Sequence, residues 1–297
     1  ALGEGSVLTG SLHATAASKV EVEGESVSLT SKTNTAVHLD GSDLVVAAQK
    51  TVISTDTNWY GLQAKNGSTA TIDAGIIEVA SKFSGVYADT GSEVILGNED
   101  TTLVKVDVVG NGEDANYGVT GLAARQPNSS VTVNGSNLKV EVSDSEHQYV
   151  YGLLAQGMTT TGTPATFVNV NSDNAEINSS AVGVMASGDG EVNLNSKSSI
   201  AVDAPVAIEV RNGAKVNVNT GKDAKADVVL NGNVDFHQAY AGKDGLVTAE
   251  VTLNLNTANS VWNGNALASW KEGLNPTAEI FEGAKLNLTL ANGAQWN

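Results

Sequence analysis

The stretch from Val182 to Asn219 decides the fold, and it reads VGVMASGDGEVNLNSKSSIAVDAPVAIEVRNGAKVNVN. It contains two copies of one pattern: a small residue between apolar residues, a glycine turn, and then an apolar residue at every second position. The small residue is Gly183 in the first copy and Ala207 in the second, 24 residues later. A unit of this length that repeats along a chain is typical of a solenoid.

Further copies of the pattern precede this stretch. Their small residues are Gly61, Gly85, Gly121 and Gly152, and a weaker copy begins at Ala36-Val37. The spacing is 24 residues from Gly61 to Gly85 and 31 residues for both Gly121 to Gly152 and Gly152 to Gly183. Turn insertions in a basic unit explain this series, since turns lengthen without disturbing a core.

A unit of this size holds three short strands and three turns, which predicts an all-β fold. The specific expectation is a right-handed parallel β-helix, a solenoid with three short strands per coil. We expect the small residue of each repeat to mark a tight corner, because glycine adopts backbone conformations that bulkier residues resist.

Alternation predicts which side chains enter the core. In the segment 215–219, Val216 and Val218 face one side and their polar neighbours face the other. Superposing the repeats aligns four asparagines at the strand ends, namely Asn134, Asn171, Asn195 and Asn219. Such a column is either a polar recognition stripe or a structural ladder in which amides bond from coil to coil, and the pattern favours the ladder.

Composition narrows the classes of protein. Hydrophobic residues make up 41% of the chain and aromatic residues only 5%, so Val, Ile, Leu and Ala must build the core. The net charge of −17 would repel a phosphate backbone, which disfavours nucleic acid as a partner. The absence of cysteine excludes disulfides and thiolate metal sites, but it fits both a cytosolic protein and one exported through a pore.

The pattern changes at about residue 246 without stopping. We therefore divide the chain into residues 1–245, the β-helical repeats, and residues 246–297, the C-terminal coils of the same continuous solenoid. Residues 259–264 read NSVWNG and residues 284–297 read AKLNLTLANGAQWN. These segments resemble the end of an adhesin-like type V autotransporter passenger domain, in which S-x-W-x-G and L-x-L-x-N-G-A-x-W motifs precede the autochaperone junction.

The resemblance implies a passenger that is secreted to the cell surface of a Gram-negative bacterium, where it is anchored at the outer membrane or released. Passengers of this family are usually adhesins, self-association proteins, proteases or esterases. Membrane attachment would come only from a C-terminal β-barrel that this sequence does not contain.

The motifs of catalysis are missing. A serine-protease passenger would carry Gly-Asp-Ser-Gly, whereas the nearest string here is Ser187-Gly188-Asp189-Gly190, and no G-x-S-x-G elbow occurs. The four histidines lack zinc-ligand spacing. We expect no enzyme, no cofactor and no metal site, although a calcium ion at one acidic turn stays open.

A polysaccharide-active β-helix enzyme is the weaker alternative. Acidic pairs suited to it occur at Glu99-Asp100, at Glu113-Asp114 and at Asp144 with Glu146, but neither arginine lies near them in sequence.

Ligand recognition would lie on the turn insertions, 110–117, 144–151 and 156–164. The candidate binding residues are Asp114, Tyr117, Asp144, Glu146, His147 and Tyr149. Tyrosines beside acids and amides suit a sugar ring or a basic protein patch, although a tyrosine can also close the core at a corner. The predicted function is a cell-surface adhesin that binds a host-cell glycan or protein, or other bacterial cells. The alternative is rod-to-rod self-association, which leads to autoaggregation and biofilm.

Overall fold

A computed structural model describes residues 10–111, 118–146, 149–158, 165–222, 224–238, 248–270 and 284–297. Every helix or strand assigned within these ranges is a β-strand, and the ranges contain no helix that could cross a membrane. The strands are β1 (Leu12–Thr15), β2 (Lys19–Ser31), β3 (Val37–Asp40), β4 (Asp43–Thr55), β5 (Tyr60–Lys65), β6 (Thr69–Ser81), β7 (Ser84–Asp89), β8 (Glu93–Leu96), β9 (Leu103–Val109), β10 (Val119–Arg125), β11 (Ser130–Ser143), β12 (Val150–Gln156), β13 (Thr166–Ser179), β14 (Val182–Ser187), β15 (Gly190–Leu194), β16 (Ser199–Arg211), β17 (Lys215–Val218), β18 (Asp227–Gln238), β19 (Ala249–Leu255), β20 (Val261–Asn263), β21 (Ala266–Trp270), β22 (Ala284–Leu290) and β23 (Gln295–Trp296).

The strands pair in parallel throughout the described ranges, as a solenoid requires, and their pairings form three ladders. The first ladder joins β1, β3, β5, β7, β10, β12, β14, β16, β18 and β21. The second joins β2, β4, β6, β8, β11, β13, β15, β17, β19 and β22. The third joins β2, β4, β6, β9, β11, β13, β16, β18, β20 and β23. Each strand of a ladder is called a rung below.

Long strands serve two ladders because they bend in the middle. β6 pairs through Ala74 in the second ladder and resumes at Ile76 in the third, with Gly75 between them. β11 bends at Gly135, whose φ of +125° lies in a region that L side chains rarely adopt. Glycine is therefore favoured at this bend because it adopts this backbone conformation without strain.

Alternation places the apolar residues inside, as the sequence predicts. Val216 and Val218 are fully buried, and so are Val192 and Leu194 on the preceding rung. One continuous cluster of such aliphatic side chains runs from Ala14 to Trp262. Burial of apolar surface is the main favourable term in folding, so this core holds the ladders together.

The ladders continue past residue 245. β19 pairs with β17, and both β20 and β21 pair with β18. The C-terminal strands therefore stack on the same parallel sheet as the repeats before them.

The recurring small residue of the repeats has a different reason from the one expected. Gly61, Gly85, Gly121, Gly152 and Gly183 do not have a positive φ. Instead, a Cβ on Gly152 would lie 2.5 Å from both the Gly183 carbonyl oxygen and Ile177 Cγ2. Glycine is needed at these positions because successive rungs approach too closely for a side chain.

Candidate functional site

The outer face of the second ladder carries an uncharged column rich in amides, beside a charged column that includes Glu191, Lys215 and Glu250. On consecutive rungs Asn193 Nδ2 donates to Asn169 Oδ1 at 3.0 Å, and Asn217 Nδ2 donates to Asn193 Oδ1 at 2.9 Å. Threonines continue the column, at Thr132 before it and Thr252 after it. A flat row of neutral donors and acceptors suits contact with a similar row.

The asparagine column predicted from sequence exists only in part. Asn171 Nδ2 donates to Asn134 Oδ1 at 3.3 Å, so these two stack as expected. Asn195 Oδ1 instead accepts from the backbone N–H groups of Thr220 and Gly221. Asn219 is buried with a φ of 54° and donates to the Asn254 carbonyl. The last two residues therefore fix a turn.

The outer face of the first ladder carries a second apolar cluster, separate from the main core. Its buried members are Tyr87, Ala123, Tyr151, Leu154, Val182 and Met185. Burial raises the pKa of Tyr151 to about 12, partly opposed by the positive charge of Arg211. Tyr151 is thus a packing residue, but it lies within β12 in this outer cluster and does not cap the main core at a corner, as one interpretation of the sequence had it.

Both arginines of the chain lie beside this cluster. Arg125 Nη1 donates to the Tyr87 hydroxyl at 3.4 Å. Arg211 pairs through Nε with Glu209, whose side chain is nearly buried. Their guanidinium groups are engaged within the face and are not offered to an acidic ligand.

The outer face of the third ladder is charged. Lys105 lies 3.4 Å from Asp107 and 3.8 Å from Glu141, and Lys139 lies 3.0 Å from Glu141 and 4.0 Å from Glu176. All of these side chains are more than one third exposed, so each pair contributes little to stability.

A groove of about 720 Å³ follows the corner where the third ladder ends and the first begins. We call it the corner groove. One wall is a column of residues from five consecutive rungs, one above another in register: Asp107, Glu141, Asn178, Asp203 and Asn231. Its floor comes from the positions that follow, at the ends of β11 and β13 and in the middle of β16 and β18, namely Val142, Ser143, Ser179, Ser180, Ala204, Pro205 and Gly232. The volume lies in the range of about 300–1,000 Å³ that is usual for ligand sites.

The insertion after Ser143 begins at the rim of the corner groove. Asp144 is buried at 8% exposure, and its Oδ1 accepts from the Glu146 N–H at 2.8 Å. The Asp144 N–H donates to Ser180 Oγ at 3.1 Å, which ties the insertion to the groove floor. Asp144 therefore holds the turn, and its side chain is not presented to solvent.

The insertion presents two other candidate residues. Glu146 is exposed, and Tyr149 is 42% exposed while its carbonyl accepts from the Val119 N–H at 2.8 Å. The anchored backbone and exposed ring of Tyr149 make it the best-placed contact residue. Asp114, Tyr117 and His147 lie outside the described residues.

The string that most resembles a serine-protease motif lies inside the solenoid. Ser187-Gly188-Asp189-Gly190 is buried at all four positions. No group of three His, Cys, Asp or Glu side chains that could hold a metal ion occurs among the residues the structure describes.

Sequence reasoning missed the corner groove. Its wall is assembled from strands whose separations in sequence differ, 34 residues from Asp107 to Glu141 and 25 from Asn178 to Asp203. A single repeat length could not align them, although in each segment an acid or amide comes directly after a buried core residue.

Comparison with known proteins gives no match. No protein-family profile, no curated protein and no solved structure is significantly similar to the chain. A functional proposal therefore has to come from the ladders, the faces and the corner groove.

Proposed function

We propose that the chain is the adhesive rod of a bacterial cell-surface protein, a passenger of the autotransporter kind. The observation that carries this proposal is the corner groove together with the insertion that starts at its rim after Ser143 and carries the exposed Glu146 and Tyr149. Ser143 lines this groove, and the insertion that begins after it carries an exposed aromatic residue, Tyr149. Exposed tyrosines of this kind often dominate binding energy at an interface.

The fold proposed for this rod is a right-handed parallel β-helix with three strands per coil. Two features support it. The chain visits the first, second and third ladders in a fixed order and then returns to the first ladder one rung further on. Parallel crossover connections are right-handed in about 98% of cases. Ten rungs at about 4.8 Å spacing give a rod of about 45 Å that carries the groove along its side.

The proposed location is the surface of a Gram-negative bacterium. Its support is the resemblance of residues 259–264 and 284–297 to passenger ends, together with an acidic, cysteine-free composition. An acidic rod is soluble as an extended surface, and the lack of cysteine avoids premature disulfides during export.

Attachment of displayed cells tests the adhesin proposal. The chain would be fused to a working outer-membrane barrel on a non-adherent bacterium, and cells attached to an epithelial monolayer counted. We expect attachment above an empty barrel, and we expect Glu146→Ala with Tyr149→Ala to reduce it towards that baseline. Truncating an aromatic anchor costs about 2 kcal/mol of binding free energy or more.

The chain offers a matched control pair. Asp56 and Trp59 are also an exposed acid and an exposed aromatic residue three positions apart, in the turn before β5. Asp56→Ala with Trp59→Ala should leave attachment unchanged at equal surface display. An equal loss in both variants would contradict the proposed site.

Self-association is the second candidate, and the uncharged column on the second ladder favours it. The hydrogen-bonded column Asn169, Asn193 and Asn217 is itself uncharged, and in the column beside it the acids Glu191 and Glu250 lie on either side of Lys215, so charges of both signs face a second rod. Rapid settling of the displaying culture without attachment to the monolayer would support this candidate over the first.

A further inference from the structure

We propose that the corner groove binds an extended, basic peptide segment that lies along the rod axis, with positive side chains about 10 Å apart. This inference rests on the proposed function and names the ligand class of the same site. Four features of the groove support this inference: its shape, its unbalanced charge, the composition of its floor and the spacing of its rungs.

The shape of the groove selects an extended chain. Its wall takes one residue from each of five successive rungs, so it runs parallel to the stacking direction. Five rungs at about 4.8 Å span about 19 Å. A polyproline II segment rises about 3.1 Å per residue, so about six residues fill the groove.

The charge of the wall is unbalanced at one point. Lys105 and Lys139 stand two residues before Asp107 and Glu141 and partly neutralise them. On the rung of Asp203, the residue two positions earlier is Ala201, which lies in register with Lys139 and carries no charge. Asp203 is exposed and has no ion pair or hydrogen bond with any residue the structure describes. A cation bound there meets an unneutralised carboxylate.

The floor favours a peptide over a glycan. Aliphatic and small residues form it, including Val142, Ala204 and Pro205, and no aromatic ring lines the groove in the described part of the chain. Aromatic faces offer a flat apolar surface on which sugar rings stack, so their absence leaves a glycan without this platform. The alkyl stems of Lys and Arg can instead lie on the aliphatic floor while their charged ends reach the wall.

The spacing of the carboxylates sets the register of the ligand. Glu141 and Asp203 lie two rungs apart, which is about 9.6 Å. Residues i and i+3 of a polyproline II segment project from the same side about 9.3 Å apart, whereas residues i and i+2 of a β-strand are about 6.7 Å apart. A basic residue at every third position therefore matches these two carboxylates, of which Asp203 is unneutralised and Glu141 is shared with Lys105 and Lys139.

Fluorescence anisotropy with a labelled (Lys-Pro-Pro)₃ peptide tests the inference on the purified full chain. We expect saturable binding that weakens with added salt, because the groove carboxylates are accessible to counterions. Asp203→Asn should weaken the affinity about five- to tenfold, since it removes a charge contact while preserving shape. A (Glu-Pro-Pro)₃ peptide should not bind.

Glu93→Gln is the matched control, because Glu93 is exposed on the second ladder and the substitution changes the net charge equally. It should leave the affinity unchanged. Absence of peptide binding, or equal weakening by Asp203→Asn and Glu93→Gln, would overturn the inference. A glucosamine hexamer that displaces the peptide at the same concentration, with the same dependence on Asp203, would also overturn it in favour of a cationic glycan.

Failure of this inference is distinguishable from failure of the proposed function. Peptide binding that depends on Asp203, in a chain whose displaying cells do not attach, would support the groove ligand and remove the adhesin proposal. Attachment by a chain that does not bind the peptide would overturn only the groove ligand.

Discussion

Replacing Gly152 with alanine will lower the thermal midpoint of unfolding by roughly 6–12 °C. The new Cβ would lie 2.5 Å from the Gly183 carbonyl oxygen and 2.5 Å from Ile177 Cγ2. Neither neighbour has room to move, because the first is backbone in a paired strand and the second is fully buried. Overpacking of this kind costs about 3 kcal/mol, which in a domain of this size corresponds to a shift of a few degrees for each kcal/mol.

Circular dichroism during a thermal ramp measures this effect, and Gly221→Ala is its control. Gly221 is exposed, its φ is not positive, and a Cβ there would meet Asn195 at 3.5 Å or more, an ordinary contact distance. We expect the control to unfold within about 2 °C of the unsubstituted chain, since surface substitutions usually change stability by less than about 0.5 kcal/mol. Equal midpoints for Gly152→Ala and the unsubstituted chain would mean that the rungs are further apart than described.

Replacing Trp262 with alanine will destabilise the C-terminal rungs by about 3–5 kcal/mol, the usual cost of removing a buried tryptophan. Trp262 is completely buried, and its ring stacks on that of Trp296 at a centroid distance of 4.7 Å. Its Nε1 also donates to the Gly232 carbonyl at 3.0 Å. The substitution therefore leaves both a cavity and an acceptor without its donor.

Trp296→Ala separates burial from stacking. Trp296 belongs to the same stacked pair and also donates through Nε1, to Gly264, but it is 47% exposed. We expect it to cost about 1 kcal/mol, the scale of an aromatic pair without deep burial. Denaturant unfolding followed by tryptophan fluorescence compares the two variants. Equal losses would contradict the assignment of Trp262 to the core.

The repeats made the parallel stack predictable, because alternation such as Val216 and Val218 places side chains inside regardless of detail. The reason for Gly152 was not predictable in the same way, since it depends on the distance between rungs rather than on backbone preference. Adjacent apolar residues such as Leu153 and Leu154 indicate in the sequence that both faces of a strand are covered. In the structure Leu153 belongs to the main core and Leu154 to the second apolar cluster.

The candidate site was only partly predictable. The turn insertion predicted after Ser143 indicated that Glu146 and Tyr149 lie at the surface, and both side chains are exposed in the structure. Asp144 belonged to the same predicted group, but its backbone partner and burial give it a structural part in the turn. The corner groove depends on which residues of unequal repeats lie in register. That register is set by packing in three dimensions, so the sequence alone did not reveal the groove.

Competition with purified protein tests most directly whether the corner of the rod is adhesive. Cells displaying the chain would be added to an epithelial monolayer together with soluble unsubstituted protein, soluble Glu146→Ala with Tyr149→Ala, or soluble Asp56→Ala with Trp59→Ala. We predict that the unsubstituted and Asp56/Trp59 proteins block attachment at the same concentration, and that the Glu146/Tyr149 protein does not. Equal blocking by all three proteins would contradict this proposal, because recognition of the receptor would then not depend on the exposed residues of the insertion after Ser143.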